Sequence, residues 1–462
     1  MTVILGLSLL FLLKIVVLRL FCPVQVQQTE AYMVDRAFRF FRSESLYPDP
    51  AQGGPYLFTA YPPLFFFAQA CLLKWIGGIW LAGRSLAVMG YLGCGALLMV
   101  WGWKRWGTVG TLFTAGLFLL SPTWATWGSM VRPDTLSLFF HLAAFLILFK
   151  DSLENSDRQS GVSRLVLAGI LAAVAVGLKQ TSLTLWLAYG FYTVAGKHWR
   201  KLGWFLLGAV PPFMVLVVGE EWSTHGMFLK FTALWLDTGY DLKTLFYFFF
   251  HGFLREAGWL VIGVVVIRYW RIPNPLLKWQ VLFSVLQLLS LGRNGGAENY
   301  WLEFWLYGIL FIAEGIWLLP SPKTSAVPNW FPFLLAPAAI LSSLMYPWPQ
   351  VPSDQTVQMK LEASKYYKIP GDYLALDLDL PLMGGKPIYY QPVEYQYLFL
   401  KDRWKLDPLL ADIRTGKFVS IELYDIPTQY LLPDRVVKEI ETDYRLAWKA
   451  YGRRWYVPRE KN

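Results

Sequence analysis

Residues 24–63 read VQVQQTEAYMVDRAFRFFRSESLYPDPAQGGPYLFTAYPP. This is the first long polar segment of the chain, and it follows directly on an apolar run, Thr2–Phe21. Glu30 places a carboxylate at the mouth of that first helix. Ala31, Val34, Phe38 and Phe41 then recur at helical spacing, with Arg36, Arg39 and Arg42 on other faces. That is the pattern of an amphipathic helix lying at a membrane surface. Tyr47-Pro48-Asp49-Pro50 and Gln52-Gly53-Gly54-Pro55 read as turns, Asp35 and Asp49 as solvated or capping acids, and Tyr61-Pro62-Pro63 opens the next apolar segment. A chain that runs from its first span straight into a structured, carboxylate-bearing loop is building a site there.

Composition sets the class. Apolar residues make up 55% of the 462 and charged residues 16%, against about 25% charged in soluble proteins. Apolar runs near the span length of ~20 residues recur to about residue 346, with charges and glycines between them. The expectation is an all-α polytopic membrane domain rather than a barrel. The first span lacks a small-residue cleavage pattern and reads as a retained helix. Cys22, Cys71 and Cys94 show neither metal spacing nor a disulfide framework. The formal charge of +10 is not a nucleic-acid signal: from Val351 onward 17 basic residues meet 16 acidic ones, and the excess lies in the membrane part, where it reads as topology.

Leu64–Gly77 is the ambiguous run. If it does not cross, the basic turns Lys104-Arg105, 150–164, Lys197–Lys201 and 268–278 all face the cytoplasm, and 12 of the membrane part's 16 acids lie outside. That arrangement gives about eleven transmembrane helices: the first helix, then 84–103, 107–122, 135–150, 163–178, 181–195, 202–218, 258–270, 279–291, 301–318 and 330–346. The N-terminus is inside and the C-terminal segment outside. The domains expected are 1–346 in the membrane and 347–462 as a small extracytoplasmic α/β domain. Strand-like runs there are Tyr373–Leu380, Phe418–Leu423 and a pair within Tyr444–Pro458, with a helix at Leu406–Ile413.

Four outward stretches can carry chemistry. Glu30, in Thr29–Tyr32, is either a general base or metal ligand at the boundary, or a solvated loop acid. Arg132-Pro133-Asp134 ends the loop that begins at Ser121. Pro and Asp there are ordinary helix-start chemistry, whereas Arg132 can hold a phosphate bidentately or snorkel. Lys179-Gln180-Thr181 puts an ammonium between two apolar spans, which is costly unless it is used or reaches water. Gly292–Glu303 combines glycines with Arg293, Asn299 and Tyr300 as donors and Glu298 and Glu303 as acceptors, without the Gly-Lys-Ser/Thr of a P-loop. Carboxylates and cations on one membrane face suit a substrate with a lipid tail and a charged head.

The order of these pieces resembles the GT-C superfamily of membrane glycosyltransferases, especially the protein O-mannosyltransferase and lipid A aminoarabinose transferase branch. An acidic residue, often an Asp-Glu pair, follows the first span in that branch, and Thr29-Glu30 occupies its place. Tyr61-Pro62-Pro63, Arg132-Pro133-Asp134 (for Arg-x-Asp), Lys179-Gln180 and the Asn-Tyr-x-x-Glu of Asn299–Glu303 are similar to the branch's other short motifs. The resemblance covers about 1–346. It implies an inverting transfer of a sugar, hexose or pentose, from a polyprenyl-phosphate donor to a lipid, glycan or protein acceptor outside the plasma (inner) membrane. It casts Glu30 and Asp134 as catalytic, Arg132, Lys179 and Arg293 as phosphate-binding, and Tyr61, Gln180, Asn299, Tyr300 and Glu303 as substrate-binding. Some GT-C branches use a divalent metal; no ligand set here compels one. Two departures stand out: Thr29 replaces the acid of the pair, and Lys14 and Arg19 sit inside the first helix. The rival reading is a transporter or flippase of lipid-linked sugars, which would place its charges at mid-membrane and show inverted repeats.

Overall fold

The computed structural model describes residues 2–119, 121–154, 161–235, 239–256, 274–293, 296–317, 350–425 and 431–460. The expected spans at 258–270 and 330–346 lie outside these residues, as do Asn294 and Gly295. The described chain is mostly helical with one small C-terminal sheet. Its contacts gather into two units. One comprises Met1–Leu20, Arg84–Val218 and Gly239–Gln350, the other Phe21–Gly83, Gly219–Thr238 and Val351–Asn462.

The first unit is helical. It contains α1 (Thr2–Leu20) and most of α4 (Leu81–Arg105), α2 and α3 belonging to the other unit. Then come α5 (Gly107–Leu119), α6 (Pro122–Trp127), α7 (Asp134–Leu153), α8 (Val162–Leu178), α9 (Thr184–Ala195) and most of α10 (Trp199–Ser223). Its last described helices are α11 (Leu242–Arg255), α12 (Pro275–Gln287) and α13 (Trp301–Trp317). Among the described residues four stretches are long and apolar enough to cross a membrane: α4, α7, α10 and Pro275–Gly292, in which a 3₁₀ turn extends α12. Helix contacts here use small residues, as expected where lipid removes the hydrophobic drive for helices to associate. A Cβ on Gly169 of α8 would lie 2.2 Å from the Phe205 carbonyl of α10, and one on Gly208 of α10 2.1 Å from the Val166 carbonyl. A Cβ on Gly90 of α4 would lie 2.3 Å from the Leu136 amide of α7. At the far ends of α4 and α13, Arg105 grips Glu314 bidentately at 2.6 and 2.8 Å, and Trp106 Nε1 donates to the same carboxylate. Lys14 is exposed and Arg19 buried, its carbonyl accepting from Arg84 Nη1 at 2.8 Å.

The second unit joins α2 (Glu30–Phe41) and α3 (Leu64–Ile76) to α14 (Asp354–Ser364), β1 (Asp372–Ala375), α15 (Asp379–Met383), α16 (Pro392–Leu400), α17 (Asp407–Arg414), β2 (Phe418–Tyr424), α18 (Asp434–Asp443), β3 (Tyr444–Ala450) and β4 (Arg453–Pro458). The sheet order is β1-β2-β4-β3, with β1 parallel to β2 and the other pairs antiparallel. β3 and β4 meet at Tyr451-Gly452, whose φ values of 53° and 70° are those of a two-residue hairpin turn.

Two expectations need correction here. The helix after the first span is present and Arg42, just past its end, is exposed, but the other two arginines are not on a polar outer face. Arg36 and Arg39 are buried and share Asp35 Oδ2 at 2.7 and 2.8 Å. Arg36 also donates to Thr59 and Gln391, and Arg39 to the Ile388 carbonyl. Asp35 accepts in addition from the Ile388 amide, so it is neither solvated nor a cap, whereas Asp49 does cap a turn at Ala51. The helix therefore buries charge as well as apolar surface, by pairing each charge with chain far along the sequence. The run Tyr373–Leu380 is a strand only through Ala375. The Leu376 and Asp377 amides turn to Glu422 Oε2 at 2.9 and 3.0 Å, and α15 begins at Asp379.

Candidate functional site

Asp134 opens α7 directly after Pro133, which occupies the N-cap position, so the carboxylate sits at a helix N-terminus, where the dipole favours it. Lys179 leaves the end of α8 in an extended conformation (φ −151°, ψ 118°), and this break turns its side chain across to α7. Its Nζ donates to Asp134 Oδ1 at 2.5 Å, and Asn299 Nδ2 donates to the same oxygen at 2.6 Å. Arg132 Nε stands 3.4 Å from Asp134 Oδ2. All four residues are buried. Lys179 also lies 5.1 Å from the Tyr300 ring centroid and the Arg132 guanidinium 5.2 Å from that of Trp127. Two buried cations thus converge on one carboxylate and leave the cluster a net positive charge, an arrangement that receives an anion readily.

The loop bearing Arg132 is held by Glu256, whose Oε1 accepts from Ser121 Oγ (2.7 Å) and the Thr123 amide (3.2 Å) at the start of α6. A small pocket opens beside the cluster, lined by Asp134, Leu138, Lys179, Thr181, Ser182, Gln287, Asn299 and Glu303. Glu303, in the first turn of α13, accepts from Thr184 Oγ1 at 2.5 Å and Gln280 Nε2 at 3.0 Å. Among the described residues no three His, Cys, Asp or Glu side chains gather to hold a metal ion.

Of the residues singled out from sequence, Asp134, Arg132, Lys179, Asn299, Tyr300 and Glu303 come together in the first unit. Gln180 and Arg293 belong to the same unit but do not line the pocket. Arg293 pairs through its backbone with Tyr240. Glu30 and Tyr61 belong to the second unit. Glu30 is fully buried, and its Oε2 accepts the Val26 amide at 2.7 Å. Tyr61 offers its carbonyl to Tyr47 Oη at 2.8 Å. Sequence reading missed Thr184, Gln280, Ser182 and Gln287. Gln280, Ser284 and Gln287 recur at i, i+4 and i+7, a polar stripe on an otherwise apolar helix, and that signal was available.

Compared with solved structures, the chain is similar along its length to ArnT from Cupriavidus metallidurans in the apo state, with a TM-score of 0.66 at 15% identity over 98% of each chain. The two share a fold. The same protein bound to undecaprenyl phosphate gives a TM-score of 0.64 at 14% identity over 97% of each chain. A further structure, the apo oligosaccharyltransferase from Archaeoglobus fulgidus, gives a TM-score of 0.50 at 10% identity over 99% of this chain and 74% of that one. No family model and no curated protein sequence matches. At these identities the likeness is one of fold.

Proposed function

We propose that this chain is a membrane glycosyltransferase. It moves a sugar from a polyprenyl-phosphate donor to a hydroxyl of a lipid, glycan or protein acceptor on the extracytoplasmic face, inverting the anomeric centre. The observation that carries this reading is the convergence of Lys179 and Arg132 on Asp134 beside a pocket, in a fold shared with a protein whose structure holds undecaprenyl phosphate.

In the reaction the acceptor oxygen bonds to the anomeric carbon as the bond from that carbon to the phosphate oxygen breaks. The electron pair leaves with the polyprenyl phosphate. Lys179 and Arg132, with Arg293, neutralise the charge that develops there, which makes the phosphate a competent leaving group. Glu30 takes the proton from the acceptor hydroxyl, and Asp134 orients the cations and the sugar. Asn299, Tyr300, Glu303, Gln180 and Tyr61 bind substrate. No step requires a metal. Residues 1–346 form the transferase part with about eleven spans in the plasma (inner) membrane, Leu64–Gly77 not crossing. Residues 347–462 lie outside and select the acceptor.

The test is transfer in membranes containing the protein, supplied with radiolabelled polyprenyl-phosphate hexoses and pentoses. Label should move from lipid to product, and Glu30→Gln should lower the rate about 10²–10⁴-fold. Undiminished transfer in that variant removes Glu30 as the base and leaves Asp134. Label that changes leaflet without leaving its lipid makes the protein a transporter.

A further inference from the structure

A second buried polar chain runs through the first unit and ends at Glu303; its other members, Tyr307, His141 and Thr184, have no part in the reaction above. His141 lies two turns into α7, fully buried, with its ring centroid 5.4 Å from that of Tyr307. Its Nδ1 meets Tyr307 Oη at 2.6 Å and its Nε2 meets Thr184 Oγ1 at 3.1 Å. A threonine hydroxyl has one proton, and Thr184 gives it to Glu303 Oε1. For a neutral ring the Nε2 contact then has one consistent assignment: the ring N–H donates to Thr184, and Nδ1 accepts from the Tyr307 hydroxyl. The chain of donors runs one way, Tyr307 to His141 to Thr184 to Glu303.

Both hydrogen bonds on Glu303 fall on Oε1, from Thr184 and Gln280. Oε2 takes none among the described residues, and Glu303 lines the same pocket as Lys179 and Asn299. A carboxylate pinned by one oxygen presents the other as a directed acceptor.

We propose that His141 is a positioning residue: through Thr184 it holds Glu303 with Oε2 toward the pocket, where that oxygen accepts a hydrogen bond from a hydroxyl of the transferred sugar. This rests on the transferase reading of the same pocket. Donor choice then depends on a residue that touches no substrate. A sugar lacking the hydroxyl leaves a buried acceptor unpaired, a heavier penalty than a lost apolar contact.

The experiment uses the full-length protein in lipid nanodiscs with two probes, sugarless undecaprenyl phosphate and the polyprenyl-phosphate sugar that supports transfer. His141→Phe and Thr184→Val should each raise KM for the sugar donor about tenfold and leave binding of undecaprenyl phosphate unchanged. His141→Gln, whose amide N–H can reach Thr184, should restore most of the loss. The inference is overturned if KM does not move. It is also overturned if both probes weaken equally, or if His141→Gln does no better than His141→Phe; either result marks a role in folding alone. Should His141→Phe not fold, Thr184→Val, which keeps the side-chain shape, decides by the same readouts. If the wild type binds undecaprenyl phosphate and transfers sugar, a negative result sinks this inference and spares the transferase reading. If the wild type does neither, both fall.

Discussion

Asp134 carries two donors on one oxygen and an arginine on the other, so replacing Lys179 changes both charge and geometry at the pocket. Lys179→Met keeps the stem and removes the ammonium. Inhibition by undecaprenyl phosphate should weaken about tenfold or more, a loss measured by titrating that lipid into the transfer assay. Arg36 makes the contrasting case, a buried cation whose partners are structural. Arg36→Ala leaves Asp35 and Gln391 each short of one partner, and should cost about 3–5 kcal/mol, read as a lowered unfolding midpoint. Lys179 and Asp134 were legible in the sequence, because charge at the ends of apolar spans is expensive and hence informative. Arg36 and Arg39 were not. Their partners at 388 and 391 lie some 350 residues away, and helical periodicity reports spacing within a segment, not what the segment meets.

At the level of elements, hydropathy located most described helices to within a few residues, including α7 and α8, because a span needs length and apolar composition that chance rarely supplies. It missed α11, which falls between the expected spans 202–218 and 258–270 and is capped by Asp241 through the Lys243 and Thr244 amides. The strand expected at Tyr373–Leu380 fails halfway for a related reason: Glu422 captures amides that alternation alone assigns to a ladder. Close helix packing was equally hidden, since a glycine in a span looks the same whether it faces lipid or a backbone. Gly169→Leu should separate α8 from α10 and lower stability in detergent by about 1–3 kcal/mol, measured by thermal unfolding, while leucine at Gly190, which has open space, should change little.

For the whole molecule, pH acts through the second unit. Burial, with the neighbouring Asp377, pushes Glu422 up to about 7. A carboxyl raised in the folded state favours folding fully below its unfolded value near 4.5, and that contribution fades as pH rises through 7. Hydrogen-exchange protection of β2 should therefore fall between about pH 5 and 7.5, by up to about 3 kcal/mol. Glu422→Gln, which can still accept the Leu376 and Asp377 amides, should flatten that slope. Topology is testable at the same scale. Periplasmic-reporter fusions should be inactive after Lys197 and active after Val351, and the reverse pattern would mean that Leu64–Gly77 crosses.

The second unit is drawn from three separated stretches, 21–83, 219–238 and 351–462. Tyr47 packs on Phe228, Phe58 on Phe231, Arg36 on Gln391, and Tyr56 bridges Tyr390. Its first stretch is synthesised and inserted several hundred residues before its last. Until ribosomes deliver residues 388–391, Arg36 and Arg39 lack their final partners, and the early loop must wait unfinished. A premature stop near residue 350 is thus no simple loss of an appendage. It strands the loop that follows the first helix, and quality-control proteases should find their cut sites there, near the N-terminus, rather than at the truncated end.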